Sequence, residues 1–373
     1  MLLLRKRIHD KLTNLVMWLD YIVYRLLSPF HFKSFPKETK RIVLVELFQV
    51  GDLLVATPAM SALKKLFPQA ELDIVVLPST ALIIENNPDI NNVISYTTFN
   101  ETKEKLKKQS YDLGVILHPG SWKISALLLL AKVRYRVGCT KSGITYGKGY
   151  FLHKKIKPNT RWQHKIEDNL DVIRALPIDQ EKVKEVVRRP VLTINHNAES
   201  RIKKMLLGKK RPLIGIHAPS KHKTQRWYPL QFATVTDQVQ RKYNATIIFT
   251  GTAEEQQQVD EITATMQEKN YFNALGKTTM HEFAALIKQL DLLISVDTSA
   301  IHIASAVNTP VIALFGPTIP TFWGPTSQAS RVIWKNEVCT GCRRYECIIK
   351  THECMKSITP EDVLKAVAEV LRR

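Results

Sequence analysis

The sequence predicts an α/β protein built from two Rossmann-like halves, and three observations carry that expectation. The chain has 373 residues, about the length of two ordinary domains. Short apolar runs alternate with helical patterns, as in parallel strands buried on both faces. The alternation also starts twice, before and after a charged stretch at 186–210.

In the first half, 41–47 reads as a buried strand, 58–67 as a helix, and 72–77, 93–96 and 113–117 as strands, with 165–176 a further helix. In the second, 213–217, 246–250, 292–296 and 311–315 are strands, and 230–243, 253–267, 281–290 and 300–307 are helices. Thr359-Pro360-Glu361-Asp362 supplies an N-cap, a first-turn proline and two acids for a last helix running to Leu371. No repeat of 20 to 50 residues is visible. The expected domains are 1–38, an N-terminal helix and linker; 39–185, the first Rossmann-like domain; 186–210, a linker; and 211–373, the second.

Ile8, Leu12, Leu15, Leu19, Ile22 and Leu26 recur at helical spacing in 5–27, among Arg5, Lys6, Arg7, Lys11 and Arg25. That pattern suits a helix lying in the plane of an anionic bilayer or one packed on the protein's own surface. No run of apolar residues is long enough to span a membrane.

With 54 Lys and Arg against 34 Asp and Glu, the chain carries +20. The excess lies in 101–170, with 15 basic against 5 acidic residues, whereas 211–373 is near balance at 18 against 15. Such a balance fits nucleic acid, an anionic membrane face or phosphorylated small molecules, or a solvated basic surface. Aromatic stacking clusters and recognition-helix motifs are lacking, which argues against nucleic acid. Five cysteines without a secretory signal indicate a reducing compartment, the cytoplasm.

In parallel sheets chemistry is found at strand-to-helix turns. One such turn is Val50-Gly51-Asp52, where glycine permits a tight bend and Asp52 would serve as acceptor or base, or as a plain helix N-terminal acid. The other is Ser295-Val296-Asp297-Thr298-Ser299, opening the helix that holds His302. A helix start with hydroxyls is an anion site suited to a pyrophosphate, although Asp297 could be only an N-cap and His302 only a core residue. Gly316-Pro317-Thr318 ends the next strand and would face the same space.

Other signals fail. Gly276-Lys277-Thr278 lacks the first glycine of a P-loop, and no G-x-G-x-x-G follows a strand. No Asp-x-Asp pair is present to hold a metal-bound diphosphate. No cofactor is expected. Cys339, Cys342, Cys347 and Cys354 form C-x2-C-x4-C-x6-C, a spacing open to zinc or an iron-sulfur cluster that matches no metal signature closely. The cluster is therefore taken as structural or incidental.

Taken in order, these motifs resemble glycosyltransferase family 9, the ADP-heptose:lipopolysaccharide heptosyltransferases. The resemblance rests on Gly51-Asp52 with Thr57-Pro58-Ala59, on Ser295-Val296-Asp297-Thr298 with His302, and on Ala313-Leu314-Phe315-Gly316-Pro317-Thr318. It covers about residues 40 to 370. It implies a GT-B fold, two Rossmann-like domains facing a central cleft. It further implies inverting, metal-independent transfer of heptose from an ADP-activated donor to the lipopolysaccharide inner core. By position, Asp52 would be the base, with Gly51 beside the acceptor. Ser220, Lys223, Arg226, Glu255, Asp297, Thr298, Ser299, His302, Gly316 and Thr318 would line the donor. Lys123, Arg134, Arg136 and Lys141 would form a basic mouth for a phosphorylated glycolipid acceptor. The implied location is the cytoplasmic face of the inner membrane, held peripherally. Ser299 stands where the family commonly has glycine and Ile319 where an acid often follows, so a different nucleotide sugar or surface-glycan acceptor is the alternative.

Overall fold

The computed structural model describes residues 34–117, 122–139, 151–156, 162–335, 339 and 341–372. The N-terminal 5–27 pattern lies outside the described residues. The chain divides into two compact units, one holding the described residues up to Phe48 with Ala56–Arg188, the other Gln49–Val55 with 189–372.

Along the chain to Arg188 the order is β1 (Arg41–Glu46), α1 (Val50–Leu66), whose residues 50–55 belong to the second unit, β2 (Glu71–Val76), β3 (Asn92–Ser95), α2 (Phe99–Gln109), β4 (Leu113–Ile116), α3 (Trp122–Leu130), β5 (Tyr135–Cys139), β6 (Lys154–Ile156), α4 (Lys165–Arg174) and α5 (Glu181–Lys184). The second unit adds α6 (His196–Met205), β7 (Leu213–His217), α7 (Pro229–Tyr243), β8 (Thr246–Phe249), α8 (Gln256–Thr265), β9 (Tyr271–Asn273), α9 (Met280–Gln289) and β10 (Leu292–Val296). It closes with α10 (Ser299–Val307), β11 (Val311–Phe315), α11 (Pro320–Trp323), β12 (Arg331–Trp334), α12 (Glu353–Lys356) and α13 (Pro360–Leu371).

Each unit carries one six-stranded parallel sheet, ordered β3-β2-β1-β4-β5-β6 and β9-β8-β7-β10-β11-β12. Counted from each unit's own first strand the two orders are the same, the doubly wound arrangement. The central strands are buried along nearly their whole length, which is why they read as apolar runs. The second core gathers Ile214, Ile216, Phe232, Ile247, Ile294 and Leu314 with Met355, Ile358 and Val367 from the C-terminal segment.

Some elements differ from expectation. Helix α1 begins at Val50, so Gly51 and Asp52 lie in its first turn and Pro58 inside it. Pro58 removes one intrahelical donor, but residues 53–60 are all buried and their packing outweighs that cost. Helix α6 occupies the stretch read as a linker; its polar sequence buries only Ala198 and Ile202, too few to show a period. Helix α2 buries only Thr102 and Leu106. The edge strands β6, β9 and β12 are short and largely half-exposed. The expected helix at 253–267 opens as a 3-10 turn, Ala253–Glu255.

Candidate functional site

In the second unit the strand order reverses between β7 and β10, where Ser295 pairs with His217. Ligands of doubly wound sheets sit outside the carboxyl ends of strands at such a switch point. The side chains leaving β7, β10 and β11 converge at that point.

Asp297, just past β10, is the hub. Its Oδ2 accepts from Thr318 Oγ1 at 2.5 Å and from Gln225 Nε2 at 3.2 Å. One carboxylate oxygen thus ties together the turns after β7, β10 and β11. Burial raises the carboxyl from 3.8 to about 6, against the lowering effect of its Thr318 and Gln225 donors. A carboxyl held above its ordinary value binds its proton more tightly in the folded chain than in the unfolded one. Its ionisation therefore costs stability as pH rises from about 4 through about 6, and the cost is complete above that. Asp297→Asn should gain stability relative to wild type over that window, by at most about 3 kcal/mol. Urea unfolding at several pH values reads this directly, and a pH-independent difference would count against it.

Helix α10 begins two residues beyond. Thr298 is its N-cap, with Oγ1 accepting from the Ala300 amide at 3.3 Å, and Ser299 is its first residue. The remaining first-turn amides, with the helix dipole behind them, suit an anion. His302 lies one turn in, 4% exposed, its ring edge-on to Trp323 at 6.0 Å. Gly51 packs against that ring: a Cβ on Gly51 would stand 2.8 Å from His302 Cδ2. Residues 49–55 belong to this second unit, whereas the sequence reading assigns them to the N-terminal domain. The missing side chain at Gly51 permits the contact and brings the first turn of α1, with Asp52, beside α10.

The loop after β7 is internally bonded. Ser220 is buried; its Oγ donates to Gln225 Oε1 at 2.9 Å and accepts from the His222 amide. Its hydroxyl thus shapes the loop. Lys223 is exposed and Arg226 half-buried, with Arg226 Nε donating to Ser220 O at 2.7 Å. Neither forms an ion pair among the described residues. His217 is buried, its Nδ1 3.0 Å from Thr250 Oγ1, and desolvation pulls its imidazole down to about 4 against the raising effect of Glu255, so it is neutral near pH 7. Glu255 closes a capping box, its Oε2 accepting from the Thr252 amide at 2.9 Å.

Gly316 has a packing role instead of an open face. A Cβ there would meet Met355 Sδ at 2.5 Å and Cys354 Sγ at 3.1 Å. Gln225 and Trp323 are missed by the sequence reading. Gln225 sits unmarked between Lys223 and Arg226, and only its bonds to Ser220 and Asp297 reveal it as the link between turns.

In the first unit Lys123 and Arg134 are exposed. Arg136 departs from the expected basic mouth: it is 3% exposed, and its guanidinium donates to Phe151 O and Val133 O, each at 2.6 Å. Burial lowers it to about 10. It stitches β5 to neighbouring backbone, since a cation interior to a strand must find carbonyl partners. Lys141 lies outside the described residues. No described helix is long and apolar enough to cross a membrane.

The same pair of units recurs in solved structures. The chain is similar to the glycosyl transferase family 9 protein from Veillonella parvula, with TM-score 0.80, 21% identity, and coverage of 91% of this chain and 99% of that one. It is also similar to the Escherichia coli ADP-heptose lipopolysaccharide heptosyltransferase II, with TM-score 0.73, 22% identity, and coverage of 89% and 99%. The fold is therefore GT-B. Residues 100–352 match the profile of glycosyltransferase family 9 (heptosyltransferase), well over half of the chain. The chain belongs to that family and is a glycosyltransferase. In sequence it is 29% identical over 337 residues to lipopolysaccharide heptosyltransferase 3 of Escherichia coli K12, covering 86% of this chain and 95% of that protein.

Proposed function

We propose that this enzyme transfers a heptose from an ADP-activated donor to a phosphorylated sugar of the lipopolysaccharide inner core, with inversion and with no metal at the reacting centre. The observation that carries the reading is the packing of Gly51 on His302, which sets Asp52 in the unit that also holds the Asp297 hub and the α10 N-terminus. The Asp52 carboxylate takes the proton of the acceptor hydroxyl as that oxygen attacks the anomeric carbon. The bond from that carbon to the diphosphate breaks on the opposite face, and ADP leaves. Charge on the departing diphosphate is met by the α10 amides with Thr298 and Ser299, and by Lys223 and Arg226. Glu255 would hold the ribose, and His302, Thr318 and Asp297 the sugar side.

Lys123 and Arg134 would attract the anionic acceptor, and the basic helix expected at 5–27 would hold the enzyme on the cytoplasmic face of the membrane. Purified full-length protein should transfer from ADP-heptose, without added divalent cation, to a truncated lipid A core. UDP-glucose and UDP-N-acetylglucosamine should serve poorly. Efficient transfer from either UDP-sugar alone would replace the donor assignment with the alternative that Ser299 and Ile319 suggest. In the same assay Lys123→Glu with Arg134→Glu should raise the acceptor KM several-fold at unchanged kcat. An unchanged KM would remove these two from the acceptor surface.

A further inference from the structure

Gln225 lies in the candidate site but has no part in the function proposed above. It ends the 3-10 turn Lys223–Gln225, its backbone amide donating to His222 O at 2.9 Å. Residues before and after it are pinned. Thr224 is buried, with Oγ1 donating to Arg344 O at 2.6 Å, and Trp227 is held through its indole by Ile358 O. The half-buried Gln225 side chain therefore starts from a backbone that packing has already fixed.

Its amide has one workable orientation. An ionised carboxylate accepts hydrogen bonds and donates none, so the atom that Gln225 turns toward Asp297 Oδ2 at 3.2 Å must be the nitrogen. The carboxamide oxygen then takes the Ser220 hydroxyl proton at 2.9 Å, and the Ser220 oxygen in turn accepts from the His222 amide at 3.1 Å. Each bond sets the direction of the next. Thr318 Oγ1 donates to the same Asp297 oxygen at 2.5 Å. Two groups are left over. An amide nitrogen carries two protons, of which Gln225 uses one, and a carboxylate has two oxygens, of which Asp297 uses Oδ2. The second Gln225 N–H and Asp297 Oδ1 have no partner among the described residues, and both side chains are only half-buried. A donor and an acceptor one carboxylate apart match a hydroxyl group, which accepts through its oxygen and donates its proton. A diphosphate oxygen, with no proton to give, satisfies only the first.

We propose that Gln225 is a specificity-determining residue, which together with Asp297 Oδ1 reads one hydroxyl of the transferred sugar. This rests on the proposed function only in placing the sugar beside Asp297. The hydroxyl receives a hydrogen bond from the free Gln225 N–H and donates one to Asp297 Oδ1. Ser220 keeps the amide from turning its oxygen into the site, where it would meet the hydroxyl with the wrong polarity. A donor with hydrogen in place of that hydroxyl leaves both protein groups desolvated and unpaired, and is rejected for that reason.

The test measures kcat/KM of the full-length wild type, Gln225→Met and Gln225→Glu with ADP-heptose, UDP-glucose and UDP-N-acetylglucosamine. The donor that wild type uses best is then compared with its singly deoxygenated analogues. Methionine keeps the length without the N–H, and glutamate keeps the shape but sets a second acceptor against Asp297. Wild type should prefer the full donor over one of the analogues about 10²-fold or more. Gln225→Met should lose about 10- to 100-fold on the full donor and less than about threefold on that analogue, so the preference shrinks with the side chain. Gln225→Glu should lose at least as much on the full donor. Calorimetry should find ADP binding to Gln225→Met within about threefold of wild type. Equal losses on full and deoxygenated donors, or no loss, overturn the hydroxyl reading, as does an ADP affinity that falls in step with kcat/KM. Preference for a UDP-sugar would change the donor assignment and leave this comparison intact, so the two failures are told apart.

Discussion

Asp52→Asn should bind ADP like wild type and turn over about 10²- to 10⁴-fold more slowly. The amide has the carboxylate's shape, so the first turn of α1 keeps its fit, with Gly51 against His302. What is lost is the ability to take a proton from the acceptor. A purely structural Asp52, placed for the helix dipole, would behave otherwise. Its replacement would cost about 0.3–1 kcal/mol of stability and leave turnover near wild type. Single-turnover transfer with ADP-heptose, beside an ADP titration and an unfolding curve, separates the two. Turnover within about threefold of wild type would dismiss Asp52 as the base.

Trp227→Ala should destabilise the second unit by about 3–5 kcal/mol. Trp227 is 3% exposed, meets Phe232 edge-on at 4.8 Å, and donates its indole Nε1–H to Ile358 O at 3.0 Å. It thus pins the segment before α13 to the start of α7. Alanine leaves both a cavity and a buried carbonyl without its donor. Trp227→Phe, which keeps most of the volume, should cost markedly less. Denaturant unfolding of the three proteins measures this, and an alanine variant within about 1 kcal/mol of wild type would show the pin to be dispensable. Because the chain has two units, the transition should be followed for separate phases.

Strands β7, β10 and β11 were legible to the residue because burial on both faces leaves an unbroken apolar run. The last helix was legible because Thr359 and Asp362 write a capping box into four letters. In the sequence Pro58 looks like a helix start and makes α1 seem shorter than it is, whereas the packing of its neighbours holds the proline inside the helix. Helices α2 and α6 bury too few side chains to show a period. Within the candidate site, the meeting of the Asp297 and Thr318 turns was expected, and their bond is direct. Gln225 could not be foreseen, since a glutamine between two basic residues has no pattern until its two amide atoms find Ser220 and Asp297.

By itself the sequence determined the α/β class, the two doubly wound halves, the family, and the turns at which chemistry could sit. These follow from local periodicity and from short motifs, which are properties of neighbours along the chain. Only the tertiary structure decided which polar groups meet and which cations are used up inside the fold. Arg136 and Arg134 stand two residues apart in sequence, yet one is buried against backbone carbonyls and the other is exposed. Gly51 and His302 are remote in the chain but in contact, because the absence of one side chain leaves room for the other's ring. Burial and contact depend on what folding brings together from distant positions, and no local pattern encodes that.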